Sequence, residues 1–405
     1  MIALAVRRDG GKMAVRTKPL TAVPDMHAQA IERAVQSIFA QSELHAKQIE
    51  SIGHAVIGVV HAAQAGVANI GRAEAAARET TSKHAIKQFD RFLSNNKIGL
   101  EAAAKDYVRF VLGDRWKLTA ALDWTDYADG TRHRIALSLV TRHGRATPLV
   151  WKTVTAAELT DRRNEHEDEL LRTFKRLLPD TVKHVTILAD RGFGDVKLYD
   201  MLKGELGFDY IIRFRKCIKV RDEAGTARPA GDWVPSNGRA LLLPHAKVTG
   251  ERFEVEAVVA VKRAAMKDEW LLATSLKEDA ETIVRLYGRR FTIEENFRDE
   301  KDWRFGLGAL YVNIDRTDRR DRMCLVIAIA VVLLTLLGHA GEQLGLDRAL
   351  RANTVKTRTH SLFRQGREYS RGVLGKADNA LHRLWESFWQ VFASQPHCSE
   401  ENGLI

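Results

Sequence analysis

The sequence predicts an α/β protein: a mixed-sheet core interrupted by a β-rich insertion, with helical regions at either end. Three observations carry this prediction. Hydrophobic spacing is helical before about residue 114, changes to strand-like runs after Arg115, and then alternates between strands and helices. A turn-rich, β-prone stretch breaks that alternation. Beyond it the chain returns to helices, one of them almost wholly apolar.

Taken in order, residues 1–24 open with MIALAVRRDGGKMAV, which has no apolar stretch long enough for a secretory signal. They are expected to be a disordered arm, or to lie outside the native protein. Residues 25–114 read as Ala-rich, weakly amphipathic helices. In SKHAIKQFDRFLSN, Ile86, Phe89 and Phe92 share a helical spacing while His84, Lys87 and Arg91 fall on other faces. The pattern suits a small helical DNA-binding unit or an ordinary solvated bundle.

The first part of the core spans 115–218. KLTAALDW reads as a buried strand, and RHRIALSLVTRH and ATPLVWKTV as two more, with Gly130 and Gly144 marking the turns. A helix from Thr160 to Leu178 is expected next, capped by Thr160 or Asp161 and closed before Pro179. The strand HVTILAD, a helix over DVKLYDMLKGEL and the strand FDYIIRF follow. Three strands, helix, strand, helix, strand is the element order of a ribonuclease-H-like domain. Residues 219–275 form the β-rich insertion, and 276–345 return to the core. Within 276–345, MCLVIAIAVVLLTLL (Met323 to Leu337) is shorter than the ~20 residues of a membrane span and is expected to be a buried helix, so no membrane association is predicted. Residues 346–405 form a basic helical region in which Arg348, Arg351, Lys356, Arg358, Arg364, Arg367, Arg371, Lys376 and Arg383 outnumber the acids, suited to phosphates or to a solvated surface.

Composition narrows the chemistry. A chain of 405 residues with 63 Lys+Arg against 52 Asp+Glu carries a formal charge of +11, which favours a polyanionic partner such as nucleic acid. Cys217, Cys324 and Cys398 lie far apart in no metal-binding spacing, which supports neither a disulfide framework nor a zinc site and fits a reducing cytoplasm. The chain also lacks a phosphate-binding GxxxxGK[ST] loop.

The chemistry concentrates in YGRRFTIEENFRDEK. On a helix of ~100° per residue, Arg290, Glu294 and Lys301 fall within about 60° of Tyr287, and Leu286, Ile293 and Phe297 form a neighbouring apolar stripe. Glu295, Asp299 and Glu300 fall elsewhere and are expected to be solvated. Asp123, in ALDWTDY, and Asp190, in TILADRGFGD, each close an expected strand, from which a side chain reaches a cleft. Two aspartates and one glutamate make an all-oxygen set suited to Mg²⁺. Each also has a plainer reading: a turn cap for Asp123, a strand-to-turn junction for Asp190, and surface-helix decoration for Glu294.

Tyr287, Arg290, Glu294 and Lys301 reproduce a Tyr-x2-Arg-x3-Glu-x6-Lys signature. With LDWTDY and ADRGF, the chain from about residue 80 to 370 resembles the DDE transposases of bacterial insertion sequences, in the branch called insertion sequence family four. The resemblance implies a ribonuclease-H-like catalytic fold with a β insertion, a helical DNA-binding N-terminus and a cut-and-paste reaction. It implies two Mg²⁺ ions, with Mn²⁺ able to substitute, held by Asp123, Asp190 and Glu294 as the catalytic and metal-binding triad. Tyr287, Arg290 and Lys301 would contact DNA phosphates, and Trp270 would receive a flipped base, although a strand tryptophan also serves as core. The partners implied are double-stranded DNA, as terminal inverted repeats and as target, and a second copy of the chain in the DNA complex. The competing functions are a structure-selective nuclease on the same fold and a non-catalytic DNA-binding derivative.

Overall fold

The computed structural model describes residues 26–304, 306–309, 312–372, 378–399, 401 and 403–405. The arm expected over 1–24 lies outside the described residues, as does Lys376. The chain begins with α1 (Met26–Ile38), α2 (Ala46–Ala62), α3 (Val67–Ala77), α4 (Ser82–Ser94) and α5 (Leu100–Leu112). Phe89 and Phe92 of α4 are buried, while Lys83, Lys87 and Arg91 remain exposed.

The core opens with β1 (Lys117–Asp126), β2 (Arg132–Val140) and β3 (Ala146–Thr155), followed by α6 (Ala156–Leu159) and α7 (Arg163–Leu177). The expected cap at Thr160 or Asp161 is not where the helix starts. Thr155 instead caps the short α6 in reciprocal hydrogen bonds with Glu158, and Arg162 precedes α7 without a side-chain cap. Next come β4 (His184–Ala189), α8 (Val196–Asp200) and β5 (Asp209–Arg213).

The following segment supplies β6 (Lys219–Arg221), β7 (Ala227–Pro229), β8 (Leu241–Pro244), β9 (Lys247–Val248), β10 (Phe253–Glu254), β11 (Ala257–Val261) and β12 (Trp270–Thr274). These strands do two different jobs. β6, β7, β9 and β10 form their own sheet, whereas β8, β11 and β12 extend the core sheet, whose order among the described residues is β3-β2-β1-β4-β5-β12-β11-β8. β1, β4 and β5 pair in parallel and the other neighbours antiparallel. The unbroken apolar runs AVVAV and WLLAT explain why: strands covered on both faces read as continuous hydrophobic segments.

The chain then crosses the sheet with α9 (Ala280–Gly288) and α10 (Thr292–Lys301), and ends in α11 (Thr317–Gln343), α12 (Leu362–Ser370) and α13 (Asp378–Ser394). The apolar helix is longer than its hydrophobic run suggested. At 27 residues, α11 has the length and composition to cross a membrane, yet its apolar part is buried within the protein. It packs against α2, α12, α13 and β3. A helix apolar on every side needs such cover.

Glycines allow α12 to lie directly on α11. A Cβ on Gly338 would overlap the Leu362 carbonyl oxygen, and one on Gly366 would overlap that of Leu334. Backbone rather than a flexible side chain stands in the way, so the helices must part to accept a methyl group. Gly366→Ala is therefore expected to destabilise the protein by about 1–3 kcal/mol, the usual cost of overpacking. Thermal unfolding of the variant measures this, and an unchanged midpoint would mean that the contact yields freely. Two cations of the basic C-terminal region are engaged by this part of the protein. Arg367 is buried and donates to the carbonyls of Gly306 and Arg304 at 2.8 and 3.2 Å, while Arg358 is paired with Glu342. Both cations are already engaged within the protein.

Candidate active site

Strand register brings the two aspartates together. β1 and β4 run parallel with Leu122 opposite Ala189, so Asp123 and Asp190 each follow the last registered pair. Asp123 does not end its strand, as the sequence reading expected; β1 continues to Asp126, paired with β2. β4 stops at Ala189, which opens the sheet beside Asp123. Successive strand residues alternate faces, so Asp126, three positions on, points away from Asp123. It pairs with His133 at 2.7 Å.

The segment from Tyr287 to Lys301 is not one continuous helix. α9 ends at Gly288, a poor helix former, and a tighter 3₁₀ turn over Arg289–Phe291 leads into α10. Tyr287 is in the core, 1% exposed, and its hydroxyl stays hydrogen-bonded to Arg290, which is itself buried. Burial pushes its hydroxyl up to about 12. Arg290 and Glu294 keep their one-turn spacing. The Arg290 guanidinium donates to Asp123 Oδ2 at 3.1 Å and to Glu294 Oε1 at 2.6 Å.

Around this cation the acids differ in setting. Asp123 is largely buried; its Oδ1 accepts from the Trp124 amide at 2.9 Å, and Glu294 is half-exposed. Asp190 caps the turn after β4 by accepting from the Gly192 amide at 2.7 Å. Burial pushes the Asp123 carboxyl up to about 6 against the downward pull of Arg290, and the negative charges of Asp190 and Glu294 add to the rise. A second cation at this spot would relieve that mutual repulsion. The donor chemistry, carboxylate oxygens alone, fits a hard divalent ion such as Mg²⁺. Among the described residues, however, no three His, Cys, Asp or Glu side chains stand close enough together to hold one ion. Arg290 occupies one oxygen of Asp123 and one of Glu294.

Lys301 turns toward β1, where its ammonium donates to the Asp126 carbonyl at 2.5 Å. Burial, then Arg134, lowers it to about 8. Trp270, at the start of β12, packs edge-on to Tyr287 with ring centroids 5.0 Å apart, and lies 6.0 Å from the partly exposed Phe291. Asp299 and Glu300 are buried rather than solvated. Asp299 pairs with Arg145 at 2.7 Å and Glu300 with Arg134 at 2.5 Å, because β2 and the turn before β3 bring arginines against α10.

Two neighbours of the site went unnoticed in the sequence. Glu167 is buried on α7 and accepts from the Trp124 indole at 2.7 Å and from Arg163 at 3.1 Å, and Arg163 stacks over Trp124. Their only sequence signal is an i,i+4 pair, which ordinary helix surfaces share.

A large mixed sheet that sets acids from adjacent parallel strands against a glutamate on a covering helix is compatible with a ribonuclease-H-like DDE domain. Residues 132–333 match the family described as transposase DDE domain, and this similarity supports a DDE transposase. The matched stretch contains Asp190 and Glu294 and begins after Asp123. No match to the chain was found among curated proteins.

Proposed function

We propose that the chain is a transposase of the insertion sequence family four type, which binds terminal inverted repeats and performs cut-and-paste transposition in the cytoplasm. The convergence of Asp123, Asp190 and Glu294 on Arg290, within and beside the stretch similar to the transposase DDE domain, carries this reading. Bound Mg²⁺, two ions in this reading, would activate the attacking hydroxyl and stabilise the leaving oxygen of the phosphodiester. Asp123, Asp190 and Glu294 would hold the ions. Arg290, freed from the acids, and Lys301 would hold DNA phosphates in line, and the exposed cations of α4 would grip the terminal repeat. Two copies of the chain would bring two ends together.

The test is incubation with Mg²⁺ and labelled DNA bearing the inverted repeats that flank the coding region. Strand cleavage leaving a 3′-hydroxyl, followed by joining to target DNA, is the expected result. Cutting without joining would favour a nuclease, and binding without cutting a non-catalytic derivative.

In this reading Lys301→Ala weakens repeat DNA and unrelated duplex alike, because a phosphate contact reads no sequence. The log–log salt dependence should flatten by about one unit. With its ammonium held at about 8, the contribution of Lys301 should be present below that pH and fade above it. Isotherms at several salt concentrations and at pH values either side of 8 measure both effects. An unchanged slope together with a lowered melting point would make Lys301 a brace for the end of β1.

A further inference from the structure

We propose that Arg163 binds a DNA phosphate at the site, reaching the Asp190 side from α7 as Arg290 reaches Asp123 from the turn before α10. This rests on the DNA reading above and adds a residue to its site. Successive residues of β1 lie on opposite faces of the sheet. Asp123 is on the α10 face, where Arg290 meets it, and Trp124 is on the α7 face, where its indole donates to Glu167 at 2.7 Å. The apolar sides of the two helices agree. Leu170, Leu171 and Phe174 of α7 share a core cluster with Leu122, and Ile293 and Phe297 of α10 share another with Ala121. Arg163 opens α7, with its side chain 46% exposed.

The Arg163 guanidinium is held on one edge and open on the other. Its Nε donates to Glu167 Oε1 at 3.1 Å, and its Cζ lies 5.1 Å from the Trp124 ring centroid and 6.0 Å from that of Phe193. Among the described residues neither of its Nη atoms has a hydrogen-bond partner. Arg172, on the same helix, instead gives both Nε and Nη2 to Glu205 at 2.6 and 2.8 Å. A free pair of N–H groups on a fixed plane matches the oxygens of a phosphate, and less freedom is lost when the plane is set beforehand. Glu167, its side chain 5% exposed, is the positioning residue that sets it. Helix stability does not explain the arginine, since a cation in the first turn opposes the helix dipole.

The open edge lies beside the acids. A Cβ on Gly192 would sit 3.0 Å from Asp190 Oδ1 and 3.9 Å from Arg163 Nη2, so one bare glycine separates the two groups. The first turn of α7 is tied to the loop after Asp190, where Asn164 donates to Asp195 at 3.0 Å. A strand whose phosphate lies at Asp190 therefore brings another to Arg163 within about two nucleotides, at ~3.4 Å per step. A guanidinium that only covered the Trp124 ring would need its plane and its Nε, and would leave the Nη pair without a role.

The test uses the full-length chain, Mg²⁺ and labelled duplex bearing the flanking inverted repeats, with a neutral methylphosphonate placed at each phosphate near the cleaved bond in turn. Affinity and single-turnover cleavage are measured for the parent, Arg163→Gln and Arg163→Lys. Arg163→Gln should lower cleavage on the order of a hundredfold, as for a phosphate held loosely. Arg163→Lys, which keeps the charge without the fork, should recover part of that loss. One methylphosphonate, within about two nucleotides of the cleaved bond, should impair the parent yet cost Arg163→Gln little more, because the charge it removes has already lost its partner. A brace for Trp124 and nothing else would make the two losses multiply at every position. That result overturns the proposal, as does an Arg163→Gln protein that cleaves like the parent. A parent that binds repeat DNA without cutting overturns the transposase reading, while the same coupling read in affinity still decides the Arg163 contact. Failure to bind any DNA removes both.

Discussion

Glu294→Gln is expected to leave the protein folded and DNA-bound while abolishing cleavage. The amide has nearly the volume of the carboxylate, and its oxygen can still accept from Arg290, so the 2.6 Å contact has a neutral replacement. What disappears is one of the negative charges surrounding the cation. In the proposed reaction that charge holds metal, and its loss should lower cleavage by well over the ~10–100-fold caused by removing a supporting residue of a metal site. Glu295 provides the control. It lies on the same turn but pairs with Arg145 and Arg298 at 3.4 and 3.0 Å, away from Asp123. Labelled-end cleavage and melting curves for the two variants decide the assignment: an inactive Glu295→Gln beside an active Glu294→Gln would place the chemistry on the other face of α10.

Local pattern carried the sequence reading furthest where local structure is decided locally. An apolar run closed by an acid marked both Asp123 and Asp190, and parallel pairing brings the two positions side by side. The spacing of Arg290 and Glu294 likewise survives in the fold, because both lie within a single turn. Misreadings arose where a distant segment intervenes. A helical wheel for an isolated helix places Asp299 and Glu300 in water; it contains no information about Arg134 on β2 or Arg145 beside β3. Nor does it register the 3₁₀ turn that divides α9 from α10. The β-prone stretch after Lys219 is visible in composition, but which strands join the main sheet depends on pairing with β5, a long-range choice. The length of α11 was underestimated for a related reason. Its first turns carry Arg320 and Arg322, buried through bonds to the Ile314 and Leu93 carbonyls, so charge at a helix end did not mean exposure.

Replacing Glu300 by alanine should produce one of the largest stability losses available in the core. Glu300 is 2% exposed, and Arg134, its partner at 2.5 Å, is buried as well. The carboxylate also accepts from Asn296 at 2.8 Å, while Arg134 reaches Cys324 Sγ at 3.2 Å and lies over the Phe297 ring. Removing the acid leaves a guanidinium in the interior without its counter-charge. Breaking a buried pair from one side costs about 3–5 kcal/mol, far more than the net value of the pair itself. The double variant Glu300→Met with Arg134→Leu should recover much of that loss, because neither charge then remains to be desolvated. Thermal or denaturant unfolding of the single and double variants completes the cycle. The consequence should extend to the site, since Glu300 anchors the α10 turn that follows Glu294 and Arg290. Cleavage by any folded fraction of Glu300→Ala should fall with the displacement of those groups, and small misplacements can cost on the order of a hundredfold in rate. A Glu300→Ala protein that melts like the parent would mean that water replaces the carboxylate at Arg134, and that the pair does not hold α10 against the sheet.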